Sequence, residues 1–311
     1  MGTPGPACRR RVSVTTAALL LVLTVTACGG SETVDQGPFA YDSGRPLATT
    51  DRGVVDDDYP IAVHDLSYVA GDDTVDAFLS VPPGEGRRPA VVYVHGAGST
   101  RDSMIGPALW LAARGAVTLA ITAPSTGAPS PDGAGALDRL RSQRALEIRD
   151  VIAVRRAVDL LSERADVDPE RIGFMGWSAG ARAGAILAGV EPRIHSLVLV
   201  SGGSAPVSEF VKAAPAELRP QVEETMSSID PLRYIVKARP GSLLLQDGRR
   251  DSVIPRSALQ ALIDAAPKGT KVLWYDAEHA LGPVAYREHM DWLEEQLGLD
   301  GPRVPGAKSE P

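Results

Sequence analysis

Residues Gly176-Trp177-Ser178-Ala179-Gly180 form a G-x-S-x-G pattern. An apolar run, Ile172-Gly173-Phe174-Met175, leads into it, and a small-residue stretch over 179–188 leads out. Strand, tight turn and helix in that order put a hydroxyl at the apex, and in this context the pattern reads as a nucleophile elbow. Such a turn strains the backbone at the serine and lifts its Oγ clear of the sheet. A Cβ at either flanking glycine would crowd the neighbouring strand or helix. The five residues alone are weak in a chain with 31 glycines, where a Gly-rich turn can carry an incidental serine. The segments around the turn have to carry the argument.

Those segments alternate. Residues 61–69 and 74–81 read as two strands joined at Gly71-Asp72-Asp73. Short continuous apolar runs at 90–94 and 116–121 suit strands buried on both faces. A helix is predicted over 105–114, and a long one over 137–165 with Leu140, Ile148, Val151, Ile152, Val158 and Leu161 on one face. Asp168-Pro169 reads as a turn. Strands at 195–200, 242–245 and 271–275 follow the elbow, with helices at 256–265 and 283–297. The pattern predicts an α/β fold: about eight strands in a mainly parallel sheet, helices on both faces and an antiparallel edge from the first hairpin. Residues 202–238 interrupt the rhythm; they are helix-like and proline-punctuated, and read as a small lid over the carboxyl ends of the strands, where such sheets bind ligands.

The N-terminus is a separate device. Arg9-Arg10-Arg11 precedes an uncharged stretch over 12–27, then Cys28-Gly29-Gly30. A positive start, a short apolar run and small residues before a cut site make a signal peptide, and sixteen residues are short for a membrane span. The junction Val25-Thr26-Ala27-Cys28 resembles a bacterial lipobox. That resemblance implies cleavage before Cys28, a lipid on its thiol, and a protein held on the outer face of the cell membrane; plain secretion is the alternative. Cys8 falls in the discarded segment, so the exported domain relies on its core without disulfides. Residues 28–58 read as a flexible tether and 300–311 as a disordered tail, which leaves 59–299 as the domain. The formal charge of −7 and the lack of a basic patch argue against nucleic acid as a partner. Asp56-Asp57-Asp58 reads as solvated linker charge, and no metal is assigned.

A serine hydroxyl needs a base to take its proton and a third group to orient that base. In the elbow architecture the chain order is Ser, acid, His. His279 lies just past the strand ending at Tyr275, where an imidazole can reach the elbow. His289 falls within the last helix and reads as a surface or packing residue. His64 and His195 fit neither the order nor a strand end. Two acids follow the 242–245 strand, Asp247 and Asp251. Asp251 is preferred because it lies in the loop before the helix opened by Pro255, while Asp247 suits turn geometry. The strand Val91-Val92-Tyr93-Val94 runs into His95-Gly96-Ala97-Gly98, a loop that can aim a backbone N–H at a developing oxyanion. The expected donors are Ala97 and Ala179, with His95 bracing the loop.

The His95–Gly98 loop, the Gly176–Gly180 elbow, Asp251 before Val253 and Pro255, and His279 together resemble the α/β-hydrolase superfamily. Within it the chain looks most like the dienelactone hydrolase and acetyl-xylan-esterase-like bacterial esterases. The resemblance covers about residues 60–298. It implies a carboxylic ester hydrolase acting on a small-molecule ester through Ser178, Asp251 and His279, with no cofactor. Dienelactone hydrolases proper use a cysteine nucleophile, so Ser178 favours ordinary esterase chemistry. An acyltransferase or peptidase would use the same triad, and a binding lipoprotein could keep the fold without turnover.

Overall fold

Three strands run antiparallel at one edge of a single sheet: β1 (Thr50–Asp56), β2 (Val63–Ala70) and β3 (Asp73–Ser80). The rest are β4 (Arg88–Val94), β5 (Val117–Ile121), β6 (Val167–Trp177), β7 (Ile194–Val200), β8 (Leu243–Gly248) and β9 (Lys271–Tyr275). These six are mutually parallel, and the sheet order is β1-β2-β3-β5-β4-β6-β7-β8-β9. The order reverses at β4: β5 lies on one side of it and β6 on the other. The carboxyl ends of β4 and β6 therefore flank a topological switch point, the place where open α/β sheets bind ligands. The computed structural model describes residues 1–3, 36–56, 60–129, 133–299 and 304, and the elements lie in the unit Val34–Pro311.

Helices α1 (Ile105–Ala112) and α8 (Pro283–Leu297) cover one face, where Trp110, Leu111, Met290 and Leu293 pack on Val91, Tyr93 and Met175. Helices α2 (Ala136–Ser162), α3 (Ala179–Val190) and α7 (Arg256–Ala265) cover the other. α3 approaches the sheet closely because its buried face is Ala181, Gly184 and Ala185; a Cβ on Gly184 would stand 2.4 Å from Leu199 Cδ2.

Three expectations change. Among the described residues the sheet has nine strands rather than about eight, and the extra one, β1, lies in the segment read as tether. Residues 36–56 are not a free linker: Phe39 is fully buried, Tyr41 donates to Asp159 at 2.9 Å, and Arg155 and Arg156 donate to the carbonyls of Phe39, Ser43 and Arg45. The segment is polar because its partners are charged groups of α2, a pairing that local apolar periodicity does not report. Asp168-Pro169 lies within β6, in an irregularity between the pairs Arg88↔Val167 and Ala90↔Ile172. The 202–238 segment is helical, as its sequence pattern suggests, with α4 (Val207–Ala213), α5 (Arg219–Ser227) and α6 (Pro231–Ile235), and it docks on α2 and α3. A Cβ on Gly189 of α3 would meet Tyr234 O of α6 at 2.5 Å, which shows how tightly it is seated.

The signal segment after residue 3 and Cys28 lie outside the described residues. So does the 300–311 tail except Val304, whose N–H donates to Ala113 O.

Candidate active site

β6 ends at Trp177 and α3 begins at Ala179, so Ser178 alone makes the turn. It does so with φ 55° and ψ −110°, outside the ordinary regions for a side-chain-bearing residue. The conformation is held from both sides: Ser178 N donates to Val200 O at 2.8 Å, and Ser178 O accepts from Arg182 N at 3.0 Å. The two flanking glycines are sterically required. A Cβ on Gly176 would lie 2.4 Å from Gly180 C, and one on Gly180 would lie 2.4 Å from Val94 O.

Ser178, Asp251 and His279 come together. Nε2 of His279 is 2.9 Å from Ser178 Oγ, and Nδ1 is 2.8 Å from Asp251 Oδ2. Asp251 Oδ1 accepts from the N–H groups of Val253 and Ile254, both at 2.8 Å, so the carboxylate is fixed at both oxygens. Burial of Asp251 pushes its carboxyl up, but the His279 contact and the two N–H groups outweigh this and hold it below its ordinary value. The acceptor-only carboxylate requires the Nδ1–H tautomer, which leaves the Nε2 lone pair facing the Ser178 hydroxyl.

The His279 backbone is also fixed. Its carbonyl accepts from Ser201 Oγ at 2.8 Å and Trp177 Nε1 at 3.4 Å. Ser201, buried and at φ 51°, carried no signal in the sequence, since its partner is a main-chain atom 78 residues away.

The other candidates separate. Asp247 is 2% exposed with Oδ1 unpartnered, and His279 contacts Asp251 instead. Burial, with the Asp251 charge, pushes the Asp247 carboxyl up to about 7 against the pull of Arg256. His289 is buried rather than on the surface: Nδ1 meets Gln246 Oε1 at 2.8 Å, and burial depresses the ring to about 3. His64 faces Asp51 in the edge hairpin, and His195 stays at the start of β7.

His95 braces the loop after β4. Its Nδ1 donates to Gly96 O at 2.8 Å and its Nε2 accepts from Ala123 N at 3.0 Å, while its carbonyl accepts from Gly180 N at 3.2 Å. Burial lowers its pKa, which favours this neutral ring. A Cβ on Gly96 would stand 3.2 Å from Ser178 Cβ, so the loop passes directly beside Ser178. Ala97 and Ala179 line one cavity of about 100 Å³. Ala179 opens α3, so its N–H has no acceptor within the helix.

This cavity shares Ser125, Asp150, Ala179 and Ala183 with a larger one of about 360 Å³ between α2, α3 and residues 125–129. Glu147 and Arg182 meet there at 2.7 Å.

A model of the alpha/beta hydrolase family matches residues 91–300. Among solved structures, the acetyl xylan esterase from Paenibacillus sp. R4 aligns with a TM-score of 0.67 at 21% identity, over 81% of this chain and 90% of its own. Acetyl xylan esterase 1 from Thermoanaerobacterium sp. JW/SL YS485 aligns with 0.69 at 18%, over 86% and 92%. A cold-adapted esterase from an Arctic intertidal metagenomic library aligns with 0.59 at 17%, over 80% and 97%. Likeness at this identity speaks for the shared fold. No curated protein matches the chain by sequence. The family match begins in β4, before the loop braced by His95, and runs past the last helix, and the chain therefore belongs to the alpha/beta hydrolase family.

Proposed function

We propose that this hydrolase is a serine esterase that cleaves small carboxylic esters through an acyl-enzyme. The observation that carries the reading is the unbroken line from Asp251 Oδ2 through the His279 ring to Ser178 Oγ, with contacts of 2.8 and 2.9 Å. Esterases among the structural neighbours support the reaction class.

Ser178 Oγ attacks the ester carbonyl carbon as its proton passes to His279 Nε2. The carbonyl oxygen becomes an oxyanion, and the Ala97 and Ala179 N–H groups are its donors. Asp251 stabilises the imidazolium without taking its proton. His279 then protonates the departing alkoxide, leaving the acyl group on Ser178. Water, deprotonated by the same Nε2, attacks the acyl carbon and releases the acid and the free serine.

The reading extends to location. The lipobox-like Val25-Thr26-Ala27-Cys28 supports export and a lipid anchor at Cys28. Incorporation of labelled palmitate in a bacterial host, lost in Cys28→Ser, tests it; a soluble, unlabelled wild type overturns it.

For the chemistry, a fluorophosphonate probe is expected to label the wild type and not Ser178→Ala. Hydrolysis of p-nitrophenyl acetate is expected to fall together with labelling. A Ser178→Ala protein that keeps full turnover removes the proposal.

A further inference from the structure

Hydrolysis divides the region around Ser178 into two sides. The leaving alcohol takes its proton from His279 Nε2 and so departs beside that ring. The two cavities that meet at Ala179 include neither His279, Asp251 nor Trp177 in their walls. They run the other way, beneath the loop after β4 and along α2 and α3. With the carbonyl oxygen directed at the Ala97 and Ala179 N–H groups, the acyl substituent is the part of an ester that enters them.

The charged groups of this space are not equivalent. Arg182 is committed elsewhere: Nε forms an ion pair with Glu147 at 2.7 Å without hydrogen-bond alignment, one terminal nitrogen donates to Ser204 Oγ at 3.1 Å, and the other to Ile229 O at 3.3 Å. Glu147 thus has a cation beside it, although burial still pushes the Glu147 carboxyl up. Arg139 lies exposed at the rim, donating to Ala134 O. Asp150 differs. It lines both cavities, and its Oδ1 accepts from Ser125 N at 2.8 Å. The neighbouring Arg149 is turned away into a two-pronged contact with Asp73, and among the described residues no ion pair engages Asp150. Burial pushes the Asp150 carboxyl up to about 6 despite the bonds from Ser125, so at neutral pH it is a carboxylate short of donors. Ser142 and Gln143 of α2 are the other polar residues of the wall, and Ala128, Pro129, Leu146, Ala179 and Ala183 make the rest of it apolar. A carboxylate that faces a cavity with few donors of its own is stabilised by a ligand that brings it a proton to share.

We propose that the cavity between α2, α3 and residues 125–129 is the acyl subsite, and that Asp150 selects acyl groups bearing a hydrogen-bond donor, a hydroxyl or an ammonium. The proposal rests on the serine esterase reading above.

The test compares methyl butyrate with methyl 2- and 3-hydroxybutyrate and methyl 4-aminobutyrate, with acid release followed in a pH-stat at pH 8. At least one donor-bearing ester is expected to exceed methyl butyrate in kcat/KM by about ten-fold or more, the range of a hydrogen bond to a charged group. Asp150→Ala is expected to bring that ratio to within about two-fold of unity. Asp150→Asn, which keeps an acceptor for Ser125 N, is expected to lose the ammonium preference and keep the hydroxyl one. A wild type that favours methyl butyrate over all three, or a ratio unchanged in Asp150→Ala, overturns the proposal. Calorimetric binding of the same esters to Ser178→Ala gives a readout independent of turnover. A donor preference there supports the subsite even if wild-type hydrolysis fails, whereas equal binding overturns it. Fluorophosphonate labelling of the wild type reports separately on the serine esterase reading.

Discussion

Ser178 Oγ and His279 Nε2 are 2.9 Å apart across 101 residues of sequence. The sheet makes the meeting possible. β6, β7, β8 and β9 are adjacent and parallel, so Ser178, Asp251 and His279, which follow three of them, emerge at the same edge. Gly248 then lets the loop carrying His279 close over β8: a Cβ there would lie 2.3 Å from Glu278 O. The approach of the His279 ring to the Ser178 hydroxyl is thus set by backbone packing and by Ser201, which holds the His279 carbonyl.

Asp251→Asn tests orientation separately from shape. The asparagine oxygen can still accept from Val253 and Ile254, so the loop keeps its form. Its amide would donate to Nδ1, moving the ring proton to Nε2 and aiming it at Ser178. The kcat for p-nitrophenyl acetate should fall by about 10⁴-fold with little change in thermal midpoint. A fall of less than about ten-fold would remove Asp251 from the triad.

Gly180→Ala tests the packing under the elbow. The new Cβ would meet Val94 O at 2.4 Å and His95 O at 2.9 Å, both main-chain atoms of the strand and loop that border Ser178. α3 must move away, and the Gly180 N–H bond to His95 O lengthens or breaks. The expected loss is about 2–3 kcal/mol in urea unfolding, together with most of the proposed hydrolysis of p-nitrophenyl acetate. An unchanged urea midpoint would show that α3 shifts freely.

Much of this site was legible because its signals are local. The glycines flanking Ser178, the apolar run of β6 and the strand ends before Asp251 and His279 each mark themselves within a few residues. Ser201 and Asp150 do not: each acquires its role from a main-chain atom or cavity formed by distant segments. The N-terminal strap failed for the same reason. Its polar residues read as solvated tether, yet Tyr41 joins the buried network of Arg155, Asp159, Glu191 and Arg193. The 202–238 insertion was legible as helical and proline-punctuated, but its docking against α3 depends on Gly189 meeting Tyr234, which no local pattern reports.

Truncation separates strap from tether. A chain beginning at Gln36 should match the full-length protein in urea midpoint. One beginning at Ala48 loses Phe39 from the core and the carbonyl acceptors of Arg155 and Arg156. Its stability should fall by about 3 kcal/mol, the scale of uncovering a buried phenylalanine site. Equal midpoints for the two chains would return residues 36–47 to the status of linker.

Asp247→Asn should stabilise the protein in a pH-dependent way. Below the ordinary carboxylate value of about 4, Asp247 is protonated in both folded and unfolded chains and makes no difference. As pH rises toward about 7, the unfolded chain ionises while burial keeps the folded Asp247 protonated, so wild-type stability declines through that window. Above it, both states are ionised and the full penalty of a buried, partly unpartnered carboxylate beside Asp251 remains. Asparagine imitates the neutral form and removes the penalty. The gain over wild type should be near zero at pH 4 and reach up to about 4 kcal/mol at pH 8, the free-energy equivalent of moving a carboxyl from about 4 to about 7. Urea unfolding of both proteins at the two pH values decides it, and an equal gain at both would mean that the Asp247 charge plays no part.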